Sequence, residues 1–385
     1  MKHALRLTDC ETFRVPPRWL FVKLETSKGY VGWGEATLEG QSELVISTIE
    51  KYFQTVIKGS DPCNINDLWH MMYAGGFYRG GPVMMSALSG IDQALWDIKG
   101  KIHDTPISNL LGGPVRDKIE YYQWVGGDEP TDVEDTALKL TSDGCKALKL
   151  NATSAFARIE TPGAVREVGD RIGRLREVVG NDVKIGIDLH GRVTRPMLPQ
   201  LIQVLEPHSP MFIEEPVLPE YNDSLSSVKA RTSIPIATGE RMYSKWDFKD
   251  IILNESVDII QPDPSHAGGI TEILKIAAMA EAQDIALAPH SPLGPISLAA
   301  ALQIDAICPT AVMQEFSQGI HYNGTINIAD YLVNDNQFVT KDGFLLIPDG
   351  PGLGITIDEE RVREVESPDW QNPIWRHEDG SMLEW

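Results

Sequence analysis

A repeat of strand and helix patterns runs through the middle of the chain and constrains the fold more than any other feature. Short apolar runs rich in Ile, Val and Leu recur there, and each run ends in an ionisable residue. From Asp188 onward these residues are spaced 23 to 27 positions apart, the length of one strand, one helix and two short loops. The seven runs end at Lys149, Asp188, Glu214, Glu240, Asp263, His290 and Glu315.

The repeat predicts a barrel of parallel strands. The runs resemble strands that are buried on both faces, and helix-like patterns such as Gly269–Gln283 lie between them. With Ile119–Trp124 ahead of them there are eight strands, which close into a barrel with its functional groups at the carboxyl ends. An open doubly wound sheet is the alternative. The eight-fold count and the missing glycine fingerprint after a first strand favour a TIM-like (β/α)7β barrel.

The segments on either side of the repeat predict a second, smaller domain. Alternating apolar residues in Trp19–Ala36 indicate a hairpin, and Met84–His103 has the spacing of a buried helix. Residues 1–118 are therefore predicted to form an α+β capping domain, and residues 119–326 the barrel. The tail, residues 327–385, is too short to fold alone, so we expect it to return to the capping domain and complete it.

Composition excludes several classes of partner. The chain has 385 residues and a formal net charge of −21, which repels nucleic acid and anionic membranes. No apolar run approaches membrane-spanning length, and the charged start MKHALRLTDCETF lacks the apolar core of a signal peptide. Four scattered cysteines without a CxxC pair are typical of reduced thiols. We therefore expect a cytoplasmic protein that binds neither nucleic acid nor membrane.

Three carboxylates at consecutive strand ends predict a metal site. Adjacent strands lie about 4.8 Å apart, so Asp188, Glu214 and Glu240 are expected to converge. Three converging carboxylates do not all stay ionised without a cation, and oxygen ligands favour one Mg²⁺ ion. The alternative is that one or more of them pairs with a neighbouring Lys or Arg. Three acids in register favour the metal.

Histidines near these acids predict acid–base chemistry. His190 lies two residues after Asp188 and therefore on the same face, where it is either a ligand or an acid–base group. His290 and Asp263 end neighbouring strands, and a carboxylate bonded to one imidazole nitrogen makes the other a better base. A buried pair that only stabilises the fold is the alternative. Glu315, on the last strand, is placed to hydrogen-bond a substrate oxygen.

The chemistry that such a site favours is removal of the α-proton of a carboxylic acid. The negative charge that forms on proton loss lies near the cation and Lys149, so the acidity of the chain does not exclude an anionic substrate. Glu215 is expected to face away from the site and to be structural, while His266 is left without an assigned role. The glycine-rich loop Tyr73–Pro82 lacks the ending of a phosphate-binding loop and is interpreted as a flap.

Strand-end motifs along the whole chain resemble the enolase superfamily, mandelate racemase subgroup, and within it the acid-sugar dehydratases. The matching order at the strand ends is Lys-x-Asn, Asp-x-His, Glu-Glu-Pro, Gly-Glu-Arg, Gln-Pro-Asp, Pro-His and Gln-Glu. A Lys or His base with Mg²⁺ is a general property of this superfamily. Further matching segments in both domains are GFYRGGP (76–82), IDQALWDIKGK (91–101), DLHGR (188–192), PSHAGGITE (264–272), APHSPLGPI (288–296) and NPIWRHED (372–379).

The resemblance implies a role for each residue of the site. Asp188, Glu214 and Glu240 would bind Mg²⁺. His290 would take the C2 proton, and Asp263 would raise its basicity. The resemblance further implies that His190 acts as the acid for the leaving C3 hydroxyl, that Glu315 stabilises developing charge, and that Lys149, Asn151, Arg18 and Tyr78 contact the substrate.

The implied reaction is dehydration of an acid sugar, D-galactonate first, to a 2-keto-3-deoxy acid. Gluconate or an L-hexonate is the alternative substrate. A racemase or epimerase is less favoured, because Asn151 stands where racemases of the subgroup carry a second lysine. A non-catalytic sugar-acid binder is disfavoured because no ligand or base is lost. Assembly into a homo-oligomer is also expected from the family.

Overall fold

The N-terminal part of the chain forms an antiparallel sheet packed against helices. The computed structural model describes residues 5–126, 133–153, 156–317, 327–334, 337–366 and 370–384. The three strands pair in the order β1-β2-β3. The elements are β1 (Leu7–Val15), β2 (Trp19–Thr26), β3 (Val31–Glu35), α1 (Ser42–Tyr52) with a π-helical turn Phe53–Ile57, α2 (Ile65–Ala74), α3 (Pro82–Ile102) and α4 (Ile107–Leu110).

Strand β3 lies directly on helix α3 because glycine occupies the contact. A Cβ atom added at Gly34 would lie 1.8 Å from the Gly90 carbonyl oxygen, a distance that no side chain tolerates. One added at Gly32 would lie 2.1 Å from the Ala94 carbonyl oxygen. Backbone therefore packs on backbone, and the position of β3 relative to α3 is fixed.

Eight parallel strands follow, with a helix between each consecutive pair in the described residues. Strands β5 and β6 have five residues, whereas β9 and β10 have two. In chain order the elements are β4 (Lys118–Trp124), α5 (Val133–Ser142), β5 (Ala147–Asn151), α6 (Pro162–Val179), β6 (Lys184–Asp188), α7 (Leu198–Leu205), β7 (Phe212–Glu214), α8 (Leu225–Lys229), β8 (Ile236–Thr238), α9 (Lys245–Leu253), β9 (Ile259–Ile260), α10 (Gly269–Glu281), β10 (Ala286–Leu287), α11 (Pro295–Ile307) and β11 (Gln314–Glu315).

The strands close into a barrel. Each strand from β4 to β9 pairs in parallel with the strand that follows it, so that the pairing runs from β4 to β10. Strand β11 then pairs in parallel with β4, with Glu315 opposite Tyr122. The remaining gap is bridged between Leu287 and Ala311. The predicted TIM-like (β/α)7β barrel with a capping domain is therefore confirmed.

The C-terminal segment returns to the capping domain. It contains β12 (Thr340–Lys341), β13 (Phe344–Leu346) and α12 (Glu359–Glu364), and β13 adds to the edge of β4. The Lys23 ammonium lies 2.8 Å from Glu359, and the Tyr331 hydroxyl donates to the Pro16 carbonyl at 2.8 Å. The division of the chain at residues 118 and 326 remains a prediction. Ile326 lies outside the described residues.

Helix α3 is the longest helix in the described residues and belongs to the protein interior. It has 21 residues and is buried along most of its length, including the charged Asp92 and Asp97. Among the described helices, none combines the length and the apolarity needed to cross a membrane.

Candidate active site

The first half of the barrel mouth is built by strand register. Asn151, Asp188 and Glu214 lie opposite one another on β5, β6 and β7. Since parallel strands end at the same edge of a sheet, their side chains gather there. Asp188 and Glu214 are fully buried. The sequence expectation that these two acids converge agrees with this geometry.

Lys149 lies at the centre of this half. Its ammonium lies 2.8 Å from Glu214 Oε1, 2.8 Å from Glu315 Oε1 and 3.4 Å from Asp188 Oδ2. Burial opposes the charge, but Glu214 and then Glu315 outweigh it and hold the pKa of Lys149 well above its usual value. The alternative weighed from the sequence, pairing of the acids with a lysine, is thus present for Asp188 and Glu214.

One lysine does not balance the acids around it. Burial raises the pKa of both Glu214 and Glu240 in spite of nearby cationic groups. Neither Glu214 Oε2 nor Glu240 Oε2 has a hydrogen-bond partner among the described residues, although Glu240 Oε2 has an ion-pair contact with His290 Nε2 at 3.3 Å. Buried carboxylate oxygens without donors are suited to bind a cation. The residues present therefore fit a divalent metal ion.

Among the described residues, Asp188, His190 and Glu240 form a group of side chains that could hold a metal ion. One potential ligand atom from each lies within 4.8 Å of the other two. This trio differs from the predicted set, because Glu214 is held by Lys149 while His190 points at Asp188. The His190 Nε2 atom lies 3.0 Å from Asp188 Oδ2. Although burial raises the pKa of Asp188, His190 and Lys149 lower it below its usual range.

The second half of the mouth carries the His290–Asp263 pair. The His290 Nδ1 atom lies 2.7 Å from Asp263 Oδ2, and Asp263 Oδ1 accepts a hydrogen bond from Ser265 N at 2.7 Å. The other imidazole nitrogen, Nε2, lies 3.3 Å from Glu240 Oε2 and 3.9 Å from Glu315 Oε2. Although burial opposes it, Glu240 and Glu315 raise the pKa of His290 to about 10. The pair therefore aims one nitrogen at the carboxylates.

The sequence predicted that Glu240, Asp263 and His290 end their strands. In the structure these three residues lie beyond the strand ends. Strand β8 ends at Thr238, before Glu240; β9 ends at Ile260, before Asp263; β10 ends at Leu287, before His290. Pro262 and Pro289 precede Asp263 and His290 directly. Proline has no N–H for the sheet, so strand pairing stops early and loops carry the functional side chains.

A cavity of about 140 Å³ joins the two halves of the mouth and is roofed by the capping domain. The barrel and the capping domain both contribute to its wall. Arg18, predicted to contact substrate, lines it and lies 3.3 Å from Glu39. The lining residues are Arg18, Leu38, Glu39, Trp124, His190, Glu240, Arg241, Tyr243, His266, His290 and Pro292.

Two models of protein families match this chain. The model described as "Mandelate racemase / muconate lactonizing enzyme, N-terminal domain" matches residues 12–112, and "Enolase C-terminal domain-like" matches residues 132–361. The chain belongs to the enolase superfamily. The resemblance predicted from the strand-end motifs is therefore confirmed.

Individual relatives of this superfamily member span its whole length. A D-galactonate dehydratase of Ralstonia pickettii (strain 12J) is 51% identical over 383 residues, which cover 99% of this chain and 100% of that protein. An enolase of Agrobacterium radiobacter, proposed as a galactarate dehydratase and solved with sodium and L-malate, has 29% identity and a TM-score of 0.90. That match covers 99% of this chain and 100% of the other. A mandelate racemase/muconate lactonizing enzyme relative from Labrenzia alexandrii DFL-11 has 29% identity and a TM-score of 0.87, covering 96% and 99%.

The remaining predicted contacts of this enolase-superfamily member lie outside the cavity wall. Lys149 and Asn151 are buried beneath it. Tyr78 is 82% exposed on the glycine-rich loop and is not part of the wall in this conformation. The substrate contacts of these residues stay predictions.

Several wall residues were not found from the sequence. Arg241 follows Glu240 directly in the Gly-Glu-Arg motif, so its position carried a signal. Its Nε donates to Glu215 Oε2 at 2.8 Å, which agrees with a structural Glu215. His266, left without a role, lies 3.0 Å from Ser86 on α3 through Nδ1. No sequence pattern pointed to Glu39, because it lies in a loop of the capping domain without periodicity.

Proposed function

We propose that this enolase-superfamily enzyme dehydrates D-galactonate to 2-dehydro-3-deoxy-D-galactonate. The observation that carries the proposal is the arrangement of the two histidines. His290, bonded to Asp263, and His190, beside Asp188, both line one cavity together with Glu240. A base and an acid at one cavity are what the removal of a proton and a hydroxyl requires. The relative named D-galactonate dehydratase supports the choice of sugar acid.

The cation proposed for the site is Mg²⁺, held by Asp188, Glu214 and Glu240. When bound, it acts as a Lewis acid that polarises the substrate carboxylate and so acidifies the C2 proton. Support comes from Glu214 Oε2 and Glu240 Oε2, two buried carboxylate oxygens that make no hydrogen bond among the described residues. Oxygen ligands favour a hard divalent ion over softer metals.

His290 is proposed as the base. Asp263 accepts a hydrogen bond from the Nδ1–H group, which fixes the tautomer and makes Nε2, on the side of Glu240, the nitrogen that takes the C2 proton. The C2–H electron pair first moves towards the substrate carboxylate and gives an enediolate. In a second step this electron pair forms the C2–C3 double bond as the C3–O bond breaks, and the oxygen leaves as water with a proton from the acid. The resulting enol ketonises to the 2-keto acid.

His190 is proposed as the acid. His190 would deliver the proton with which the C3 hydroxyl leaves as water. Its Nε2 atom lies 3.0 Å from Asp188 Oδ2, and this contact orients the imidazole in the cavity wall. Lys149 holds Glu315 and Glu214 in place and contributes positive charge beneath the cavity. Glu315 is proposed to stabilise charge on the substrate through its position 3.9 Å from His290 Nε2.

Another acid sugar is the alternative substrate, and a panel of hexonates separates the possibilities. Purified enzyme with Mg²⁺ is incubated with D-galactonate, D-gluconate and L-hexonates, and the 2-keto product is measured colorimetrically. We expect D-galactonate to give the highest kcat/KM. If no hexonate is dehydrated, the proposal is wrong. Inversion at C2 in D₂O without loss of water would instead indicate an epimerase.

The cytoplasmic location and the homo-oligomeric assembly expected from the sequence remain predictions. Gel filtration with light scattering measures the assembly directly.

A further inference from the structure

Two capping-domain side chains hold the loops that carry His290 and Asp263. Glu35 ends strand β3, and Gln93 lies in the middle of α3. Both are fully buried and bonded to each other, since Glu35 N donates to Gln93 Oε1 at 3.0 Å and Gln93 Nε2 donates to Glu35 O at 3.2 Å. Neither lines the cavity.

Glu35 binds the backbone just after His290. Its Oε1 accepts a hydrogen bond from Gly294 N at 2.8 Å, and its Oε2 accepts one from Ser297 N at 3.0 Å. A carboxylate at the N-terminus of α11 satisfies N–H groups that the helix leaves unpaired. Thr37 Oγ1 donates to Oε1 at 2.9 Å and orients the carboxylate. The segment from His290 to α11 is therefore fixed at its far end by the capping domain.

Gln93 binds the backbone just after Asp263. Its Nε2 donates to the Pro264 carbonyl at 2.8 Å. Because Pro264 adjoins Asp263, this bond restrains the backbone that carries the Asp263 carboxylate. Strands β9 and β10 have two residues each, so the sheet itself fixes these loops poorly.

We propose that Glu35 and Gln93, the Glu35–Gln93 clamp, are positioning residues that align Asp263 with His290 for proton abstraction. The inference rests on the proposed function only for its kinetic test. The clamp touches neither substrate nor the reacting atoms. It acts through two loop backbones, one on each side of the 2.7 Å contact between His290 and Asp263. A misplacement of about 1 Å in such a pair is enough to lower a rate about 100-fold.

A substitution at Gly294 disturbs the contact between the Gly294 backbone and the Glu35 carboxylate. An added Cβ would lie 2.7 Å from Glu35 Oε2. The backbone at Gly294 has φ −85° and ψ −177°, which alanine adopts without strain. Gly294→Ala therefore displaces the Glu35 carboxylate without a backbone cost. Gly163→Ala is the matched control, because its Cβ would meet only Thr161 Oγ1 at 3.6 Å.

Glu35→Gln is the second probe. Its amide has one acceptor oxygen, so one of the two N–H groups from Gly294 and Ser297 faces an NH₂ donor. We expect both Glu35→Gln and Gly294→Ala to lower kcat for D-galactonate about 10- to 100-fold, with KM changed less than about threefold. Gly163→Ala keeps wild-type values.

A double-mutant cycle tests whether the clamp acts through the pair. In an Asp263→Asn background, Glu35→Gln should lower kcat by less than about threefold further, since the alignment it protects is already lost. Additive losses would show that Glu35 acts elsewhere and would overturn the proposal.

A substrate-independent readout separates this inference from the proposed function. In ¹⁵N-histidine-labelled enzyme, the His290 Nδ1 proton bonded to Asp263 gives a downfield resonance. We expect it to shift or disappear in Glu35→Gln and Gly294→Ala but not in Gly163→Ala. If either folded probe variant keeps both the wild-type kcat and the wild-type resonance, the clamp is refuted. If wild-type enzyme dehydrates no hexonate, the resonance still decides the clamp while the proposed function fails.

Discussion

The two halves of the barrel mouth hold their functional side chains by different means. On the side of β5 to β7, Asp188 and Glu214 lie in register at the ends of β6 and β7, which have five and three residues, and Lys149 forms ion pairs with both. On the side of β8 to β10, strands of two or three residues end early, and capping-domain hydrogen bonds hold the loops. The first half is a closed charge cluster, whereas the second half opens onto the cavity. The barrel alone thus supplies one half, and the barrel with its cap supplies the other.

The largest expected effect is in the open half. His290→Asn removes the proposed base while keeping a polar side chain at this position. We expect kcat to fall by about 10⁴-fold, at the upper end of general-base contributions, and C2 proton exchange in D₂O to vanish with it. Circular dichroism confirms that the variant folds. Exchange at the wild-type rate would show that the base lies in the other half.

In the closed half, substitution of Lys149 is expected to lower the stability of the protein. Lys149→Met leaves Glu214, Glu315 and Asp188 without their buried counter-ion. We expect the free energy of unfolding in urea to fall by about 3–5 kcal/mol, because uncompensated buried charge is costly. Lys184→Met, which breaks the more exposed pair between Lys184 of β6 and Glu120 of β4, should cost about 1 kcal/mol or less. Equal losses would remove the contrast between the buried and the exposed ion pairs.

His190 follows strand β6 in the closed half, and its side chain lines the cavity. We expect His190→Asn to lower water loss about 10²- to 10³-fold while C2 proton exchange continues, because the base is untouched. Mass spectrometry of recovered substrate and the keto-acid assay measure the two steps. Turnover unchanged from wild type would show that another group is the acid.

Metal removal tests whether the two halves share a cation. We expect EDTA to abolish activity and Mg²⁺ at about 100 times its Kd to raise the free energy of unfolding by about 2.7 kcal/mol. Glu240→Gln should remove most of that stabilisation, whereas Glu255→Gln, on an exposed turn, should leave it intact. A Mg²⁺ effect that survives Glu240→Gln would place the ion elsewhere.

The smallest expected effect concerns Asp92, on the face of α3 that meets the barrel. Burial raises the pKa of this carboxyl to about 7 from an ordinary 3.8, although hydrogen bonds from Thr271 lower it. The folded state therefore binds the proton more tightly, so stability from this group is present below about pH 4 and is lost as pH rises through 7.

Asp92→Asn keeps an acceptor for Thr271 N but cannot ionise. The free energy of unfolding of wild type minus that of Asp92→Asn should fall by about 1–2 kcal/mol between pH 4 and pH 8, since local relaxation reduces the full cost of a buried charge. Chemical denaturation at several pH values measures the difference. A difference that rises with pH would contradict the sign.

What the sequence predicts well is what strand periodicity controls. Asp188 and Glu214 were placed side by side because parallel strands of fixed spacing determine their neighbours. The contact between His290 and Asp263 followed from the same spacing. The barrel with its capping domain followed from the repeat.

What the sequence predicts poorly depends on contacts between distant segments. Glu35 and Gly294 are far apart in the chain, and nothing in a strand pattern links them. Whether the Glu214 carboxylate binds Lys149 or a metal cation depends on side-chain distances of a few ångströms. Early strand ends before Glu240, Asp263 and His290 were missed, although Pro262 and Pro289 signalled two of them.

The glycine seam between β3 and α3 has a consequence for retargeting this scaffold. With the Gly34 backbone pressed onto Gly90, a transplanted cap from a relative would have to reproduce that fit to a fraction of an ångström. Any tilt would propagate along α3 into Gln93 and from there towards Asp263. New substrate preferences are therefore best sought by exchanging the loops around Arg18 and Glu39, with the seam itself left untouched.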